Sequence, residues 1–190
     1  VGIAGVGKVG RRLTEQLLED GAQVVVTDVN PDAVRDLVAR HPSVRAVADV
    51  DDLVREELDV YSPNALGGAL DEVTVDLLRA RIVCGGANNQ LVSEGHGGTA
   101  ERLRERGITY APDFLVNAGG VIQVSDELHG FERERARRRT VTFFDHTLEV
   151  LRSADAEDVT PAVAADRLAE RRIAAGGPRP WLPAGEHRDT

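Results

Sequence analysis

The chain has 190 residues, 42% of them hydrophobic, and carries a formal charge of −9 at pH 7. That length allows one large domain, or one domain with an appendage, and the apolar share is enough for a true core. The acidic balance argues against a nucleic-acid partner, and no apolar run approaches the ~20 residues of a membrane span or the pattern of a signal peptide.

The only cysteine, Cys84, excludes an internal disulfide and suits a reducing, cytoplasmic setting. Methionine is absent and Val1 falls inside what reads as a first strand, so the chain is expected to be a fragment or a trimmed piece of a longer protein. Lys8 is the only lysine, which leaves none to spare for catalysis.

The apolar start runs into Gly5-Val6-Gly7-Lys8-Val9-Gly10, glycines at the spacing G-x-G-x-x-G. Between a strand and a helix this spacing suits a tight turn whose helix N-terminus receives a pyrophosphate. Gly5 turns the chain, Gly7 leaves room for phosphates and Gly10 lets the helix lie close to the strand. Val9, Leu13 and Leu17 share one helical face, and Gly21 ends the helix. A second strand over 23–28 closes in Asp28, at the distance where an acid binds an adenosine ribose. Asn30-Pro31 reads as an N-cap and first helical residue, with Val34, Leu37 and Val38 on the buried side, and His41-Pro42 stops that helix.

A weak strand near 44–48, a short acidic helix near 51–57 and a fourth strand over 58–61 follow. Residues 71–80 read as a helix and Ile82-Val83-Cys84 as a buried strand. A helix over 100–106 ends at Gly107, and 108–111 is a sixth strand. The alternation predicts an α/β fold, a Rossmann-like doubly wound, mostly parallel sheet. From about Asn117 it gives way to helices over 117–129, 132–154 and 160–174, a C-terminal helical extension. Val141, Phe144, Leu148 and Leu151 form a stripe expected to be core, and the charged run 132–139 reads as a solvated face. The expected organisation is a dinucleotide-binding domain over 1–130 with its first strand truncated, then helices and a loose tail over 131–190.

Three turns follow strand ends and should converge on one sheet edge: 5–10, 63–68 and 85–90. Asn88 and Asn89 read either as turn formers or as amides aimed at a ligand, and Asn117 either as a helix N-cap or as a partner of a nicotinamide amide. The five histidines, 41, 96, 129, 146 and 187, show no metal-ligand spacing, so no metal is expected. Cys84 reads as a small buried residue.

The stretches Gly5–Gly10, Asp59–Tyr61, Ala65–Gly67, Ala87-Asn88-Asn89-Gln90-Leu91, Tyr110–Asp113 and Asn117-Ala118-Gly119-Gly120, in that order, resemble the Glu/Leu/Phe/Val amino-acid dehydrogenases. The closing 164–172 is most similar to the valine and leucine branch. The resemblance implies NAD-dependent oxidative deamination of a branched-chain L-amino acid by a cytoplasmic homo-oligomer. It implies that Gly5, Val6, Gly7, Lys8, Val9, Gly10, Asp28, Val29, Ala65, Leu66, Gly86, Ala87, Asn88 and Asn117 bind cofactor. Asn88 would also touch substrate, and Leu115 or Val116 would wall the side-chain pocket. The family's catalytic lysine and aspartate belong to a preceding N-terminal catalytic domain that these residues do not include, so no catalytic residue is assigned here. Asn64 stands where a cysteine is frequent, and Gly86 where serine or alanine is frequent. The alternative, a non-catalytic NAD-sensing module, explains the glycine turn and Asp28 but not the Ala87–Leu91 or Asn117–Gly120 stretches.

Overall fold

A computed structural model describes residues 1–92, 98–127 and 130–176. Strands and helices alternate as β1 (Gly2–Ala4), α1 (Lys8–Glu19), β2 (Val25–Thr27), α2 (Pro31–Arg40), β3 (Arg45–Ala46) and α3 (Val50–Arg55). They continue as β4 (Leu58–Pro63), α4 (Glu72–Leu77), β5 (Ala80–Val83), α5 (Thr99–Glu105) and β6 (Thr109–Tyr110). The six strands form one sheet in the order β3-β2-β1-β4-β5-β6, with every pair parallel. The sheet is doubly wound, as expected, and its winding reverses between β1 and β4, where such sheets open a ligand crevice.

Local chemistry sets the boundaries. Asn30 caps α2, its Oδ1 accepting from the Asp32 N–H at 3.0 Å, with Pro31 at the first helical position. Asp49 and Asp71 cap α3 and α4 in the same way, accepting from the Asp52 and Thr74 N–H groups. Along β1 the side chains alternate between two cores. Ile3 joins Val6, Val26, Leu37 and Val44 beneath α1 and α2, whereas Ala4 joins Tyr61, Leu70, Val83 and Leu103 on the opposite face.

Several sequence expectations shift. Leu13 and Leu17 pack on the first core, but Val9 is exposed, because the first turn of α1 overhangs the sheet edge rather than its face. The helix expected to reach residue 80 ends at Leu77. Leu78 is buried in extended backbone and the Arg79 N–H bonds the Val54 carbonyl, which starts the strand at Ala80. In that strand Ile82 is partly exposed, and Cys84 lies just beyond it.

The chain then forms α6 (Asp113–Val116), α7 (Gly119–Glu127), α8 (Arg133–Glu157) and α9 (Pro161–Ala174). The expected apolar stripe is not core at its start: Val141 is 68% and Phe144 73% exposed. Val150 and Ala154 carry the packing instead, against Ala164 and Ala165 of α9. At 1.5 Å per residue α8 extends about 37 Å and α9 about 21 Å, so α9 covers only the C-terminal half. In the charged run, Arg135 pairs with the buried Asp126 while Arg137 and Arg138 stay at the surface, paired with Glu134 and Glu132. The expected loose tail, with Trp181 and Leu182, lies outside the described residues, as do His96, His129 and His187. Among the described residues no helix is long and apolar enough to cross a membrane, and no group of His, Cys, Asp and Glu is arranged to hold a metal.

Candidate dinucleotide cleft

The first turn has the geometry its glycines imply. Gly5 has φ +100°, and a Cβ there would lie 2.9 Å from the Ala65 nitrogen of the neighbouring turn. A Cβ on Gly10 would lie 1.9 Å from the Gly5 carbonyl oxygen, so helix and strand approach as closely as they do only because none is there. Above Gly7 a Cβ would meet nothing within 4 Å, which leaves open space over the helix start. Gly7 caps α1 without a side-chain hydrogen bond, so the first N–H groups face that space. Lys8 begins the helix at the surface.

Asp28 ties the second strand to this turn. Its Oδ2 accepts from the Val6 N–H at 2.6 Å and its Oδ1 from the Asn30 N–H at 2.8 Å. Each oxygen keeps a lone pair for a further donor. Beside it a cavity of about 390 Å³ is lined by Gly5, Asp28, Val29, Asp49, Asp51 and Ala65, among others. Asp49 and Asp51 were not singled out from sequence; a helix-capping aspartate gives no sign that its far side faces a cavity. Val29 and Leu66 are strongly exposed on the rim. Arg35 is held at the surface by Asp32.

The three turns do converge on one edge. The Asn64 N–H bonds the Ala4 carbonyl at 2.7 Å, the Ala87 N–H bonds the Pro63 carbonyl at 3.0 Å, and the Gly68 N–H bonds the Asn89 carbonyl at 2.7 Å. Asn88 and Asn117, 29 residues apart, meet there: Asn117 Nδ2 donates to Asn88 Oδ1 and to the Gly86 carbonyl, both at 2.7 Å. Asn117 follows α6 as its C-cap and does not N-cap a helix. Asn88 is exposed to the cleft, and Ala87 is buried beneath it. Leu115 packs into the α8–α9 cluster, away from this edge, while Val116 is half-buried beside Asn117.

Three supporting residues receive no role from the sequence alone. Asp113, buried, accepts from the Asn89 N–H at 2.6 Å and from the Tyr110 hydroxyl at 2.9 Å, holding Asn89 at φ +51°. Fully buried Gln90 donates to the Gly85 and Ala87 carbonyls at 2.8 and 2.9 Å, closing the loop from inside. Asn64 accepts from the Gly86 N–H at 3.0 Å, so the two positions that depart from the family pattern touch each other. Burial pushes the Cys84 thiol up, away from the reactive thiolate.

Residues 1–135 match the model of the glutamate/leucine/phenylalanine/valine dehydrogenase family. The chain is 57% identical over 181 residues to a valine dehydrogenase of Streptomyces coelicolor, covering 95% of this chain and 49% of that protein. It is 40% identical over 173 residues to a leucine dehydrogenase of Bacillus subtilis, covering 91% of this chain and 46% of the relative. The crystal structure of an L-tryptophan dehydrogenase from Nostoc punctiforme superposes with a TM-score of 0.87 at 35% identity, over 92% of this chain and 51% of that one. The chain thus spans about half the length of the relatives it matches.

Proposed function

The chain belongs to the glutamate/leucine/phenylalanine/valine dehydrogenase family, and on that premise we propose that it is the NAD-binding half of an enzyme that oxidatively deaminates valine or leucine to the 2-oxo acid and ammonia. The observation that carries the reading is the uncapped start of α1 at the switch point, with Asp28 on one side and the Asn88–Asn117 pair on the other. In this reading the first N–H groups of α1 hold the pyrophosphate, and Asp28 holds the adenosine ribose in the cavity it lines with Val29 and Ala65. Leu66 and Val9, both exposed, would be covered by the cofactor, and Asn117 and Asn88 would hold its nicotinamide end. NAD, when bound, supplies the acceptor for the substrate Cα hydride. Asn88 would also meet the amino acid, and Val116 rather than Leu115 is the better placed to border its side chain.

Proton transfer needs a base within hydrogen-bond reach, and Lys8 is committed to the phosphate turn. The family's catalytic lysine and aspartate are assigned to the other half of the complete enzyme. Exposed Val121, Val124, Val141 and Phe144 support the further proposal that this enzyme is a homo-oligomer. The sensing-module alternative draws no support from these relatives.

The carboxylates of Asp28, Asp49 and Asp51 would face the 2′-phosphate of NADP, and Arg35 does not neutralise it. Calorimetric titration of the unsubstituted chain is expected to show NAD bound more tightly than NADP. Asp28→Ser should weaken NAD about ten- to a hundredfold, the scale of a charge-assisted hydrogen bond, and improve NADP relative to NAD. Equal affinity for the two cofactors before substitution would remove Asp28 from the ribose. The same chain should make no NADH from L-valine, and clear turnover would overturn the assignment of catalysis to another part of the enzyme.

A further inference from the structure

Asn64, at the end of β4, has every polar atom of its side chain directed. Its Nδ2 donates to the Ser62 carbonyl at 3.0 Å and to the Ser62 hydroxyl oxygen at 2.9 Å, which leaves Oδ1 as the acceptor. That oxygen takes the Gly86 N–H at 3.0 Å. The carbonyl of the same Gly86 takes one Nδ2 hydrogen of Asn117, and the other goes to Asn88 Oδ1. With both hydrogens used, Asn117 has only its Oδ1 to offer, whereas Asn88 offers its Nδ2 as donor and keeps one lone pair on Oδ1. The relay Ser62–Asn64–Gly86–Asn117–Asn88 therefore sets the Asn117 Oδ1 acceptor beside the Asn88 Nδ2 donor at the mouth of the cleft. A Cβ on Gly86 would lie 2.8 Å from Asn64 Oδ1 and 3.0 Å from Val9 Cγ1, so a side chain at residue 86 would press on this linkage.

We propose that Asn64 is a positioning residue: acting through Gly86, it fixes the orientation of the Asn88–Asn117 pair so that the cleft reads a primary carboxamide. A carboxamide oxygen meets the Asn88 donor while its NH₂ meets the Asn117 acceptor, whereas a carboxylate in the same place would face the Asn117 oxygen. This rests on the dinucleotide reading above and extends it to a residue that touches no ligand.

The test compares NAD, ADP-ribose (which lacks the nicotinamide) and nicotinic acid adenine dinucleotide, which carries a carboxylate in place of the carboxamide, by calorimetry on this chain. The unsubstituted chain should prefer NAD over the acid dinucleotide by about tenfold or more. Asn64→Ala should weaken NAD about three- to tenfold, the worth of one hydrogen bond, narrow its lead over the acid form, and leave ADP-ribose within about twofold. A role confined to loop stability would move NAD and ADP-ribose together. That result, or no change in either, overturns the proposal. Should Asn64→Ala fail to fold, Asn64→Asp keeps an acceptor for Gly86 and should preserve the NAD to ADP-ribose ratio; a ratio that collapses there also overturns it. If the unsubstituted chain binds neither NAD nor ADP-ribose, the dinucleotide reading itself falls.

Discussion

The sheet body and the helices after Gly119 are built from the same kind of amphipathic segment, with opposite outcomes. In the body most apolar faces find their partner within the chain, so that Leu37, Leu53, Val75 and Leu103 are fully buried. In the helices the core is small, Val150 and Ala154 against Ala164 and Ala165, while Val121, Val124, Val141 and Phe144 face outward. Periodicity states which face of a helix needs cover, and the chain must supply what covers it. A parallel sheet supplies cover for itself, because each crossover lays a helix back on the sheet it came from.

One substitution made in both regions should show the difference most sharply. Gly10→Ala places a Cβ 1.9 Å from the Gly5 carbonyl, a backbone atom that cannot swing aside. It should cost about 3 kcal/mol or more in urea unfolding and abolish dinucleotide binding. Gly120→Ala in α7 meets nothing within 4 Å and should be neutral or stabilise by up to about 1 kcal/mol, the helix-propensity gain. Comparable losses at the two sites would mean that the helices are packed as tightly as the sheet.

That contrast also sets what the sequence could disclose. The six strands, the caps at Asn30 and the glycine turn depend on neighbours a few residues away, and all were legible. Asn88 stood out with its neighbour because adjacent amides at a strand end are poor core residues, and Asn117 because it opens the Asn-Ala-Gly-Gly stretch. Their mutual bond, and the contact between Asn64 and Gly86, join residues 29 and 22 positions apart through the fold, which no local pattern encodes. Val9 was misplaced because its position in the first turn carries it past the sheet, and Val141 and Phe144 because a stripe does not reveal how far its partner helix reaches.

A smaller effect should stay confined to the helices. Arg135 holds the Asp126 carboxyl below the usual carboxylate range, with help from the Glu132 N–H, and this pins the start of α8 to α7. Because the folded value is depressed, the contribution is present above the ordinary carboxyl range and is lost as pH falls through the depressed value. Asp126→Asn should mimic that loss at neutral pH. Amide exchange should quicken in α7 and the first turns of α8 and stay unchanged in β1, β4 and β5. Faster exchange in those strands would show that the two regions unfold as one unit.

The smallest effect at neutral pH is expected inside the body itself. Tyr61 on β4 is fully buried, and its hydroxyl has no partner among the described residues. The surrounding packing carries that cost, as the helices with their small core could not. Replacing the hydroxyl by hydrogen removes an unsatisfied polar atom and leaves the ring in place, so Tyr61→Phe should be neutral or stabilise by up to about 1 kcal/mol at pH 7. Alkaline pH magnifies the difference. Burial pushes the Tyr61 pKa up to about 12 from an ordinary value of 10.0. The unfolded chain therefore releases its proton first, and folded stability falls as pH rises from the ordinary value through the raised one. A shift of about two units corresponds to roughly 2–3 kcal/mol by the top of that window, and phenylalanine, with nothing to ionise, does not incur it. Urea unfolding of both proteins at intervals from pH 7 to 12 should show their stabilities diverging above pH 10, with the phenylalanine variant the more stable. Parallel curves would mean that the hydroxyl reaches water or a partner, and that the sheet body is less closed than its packing implies.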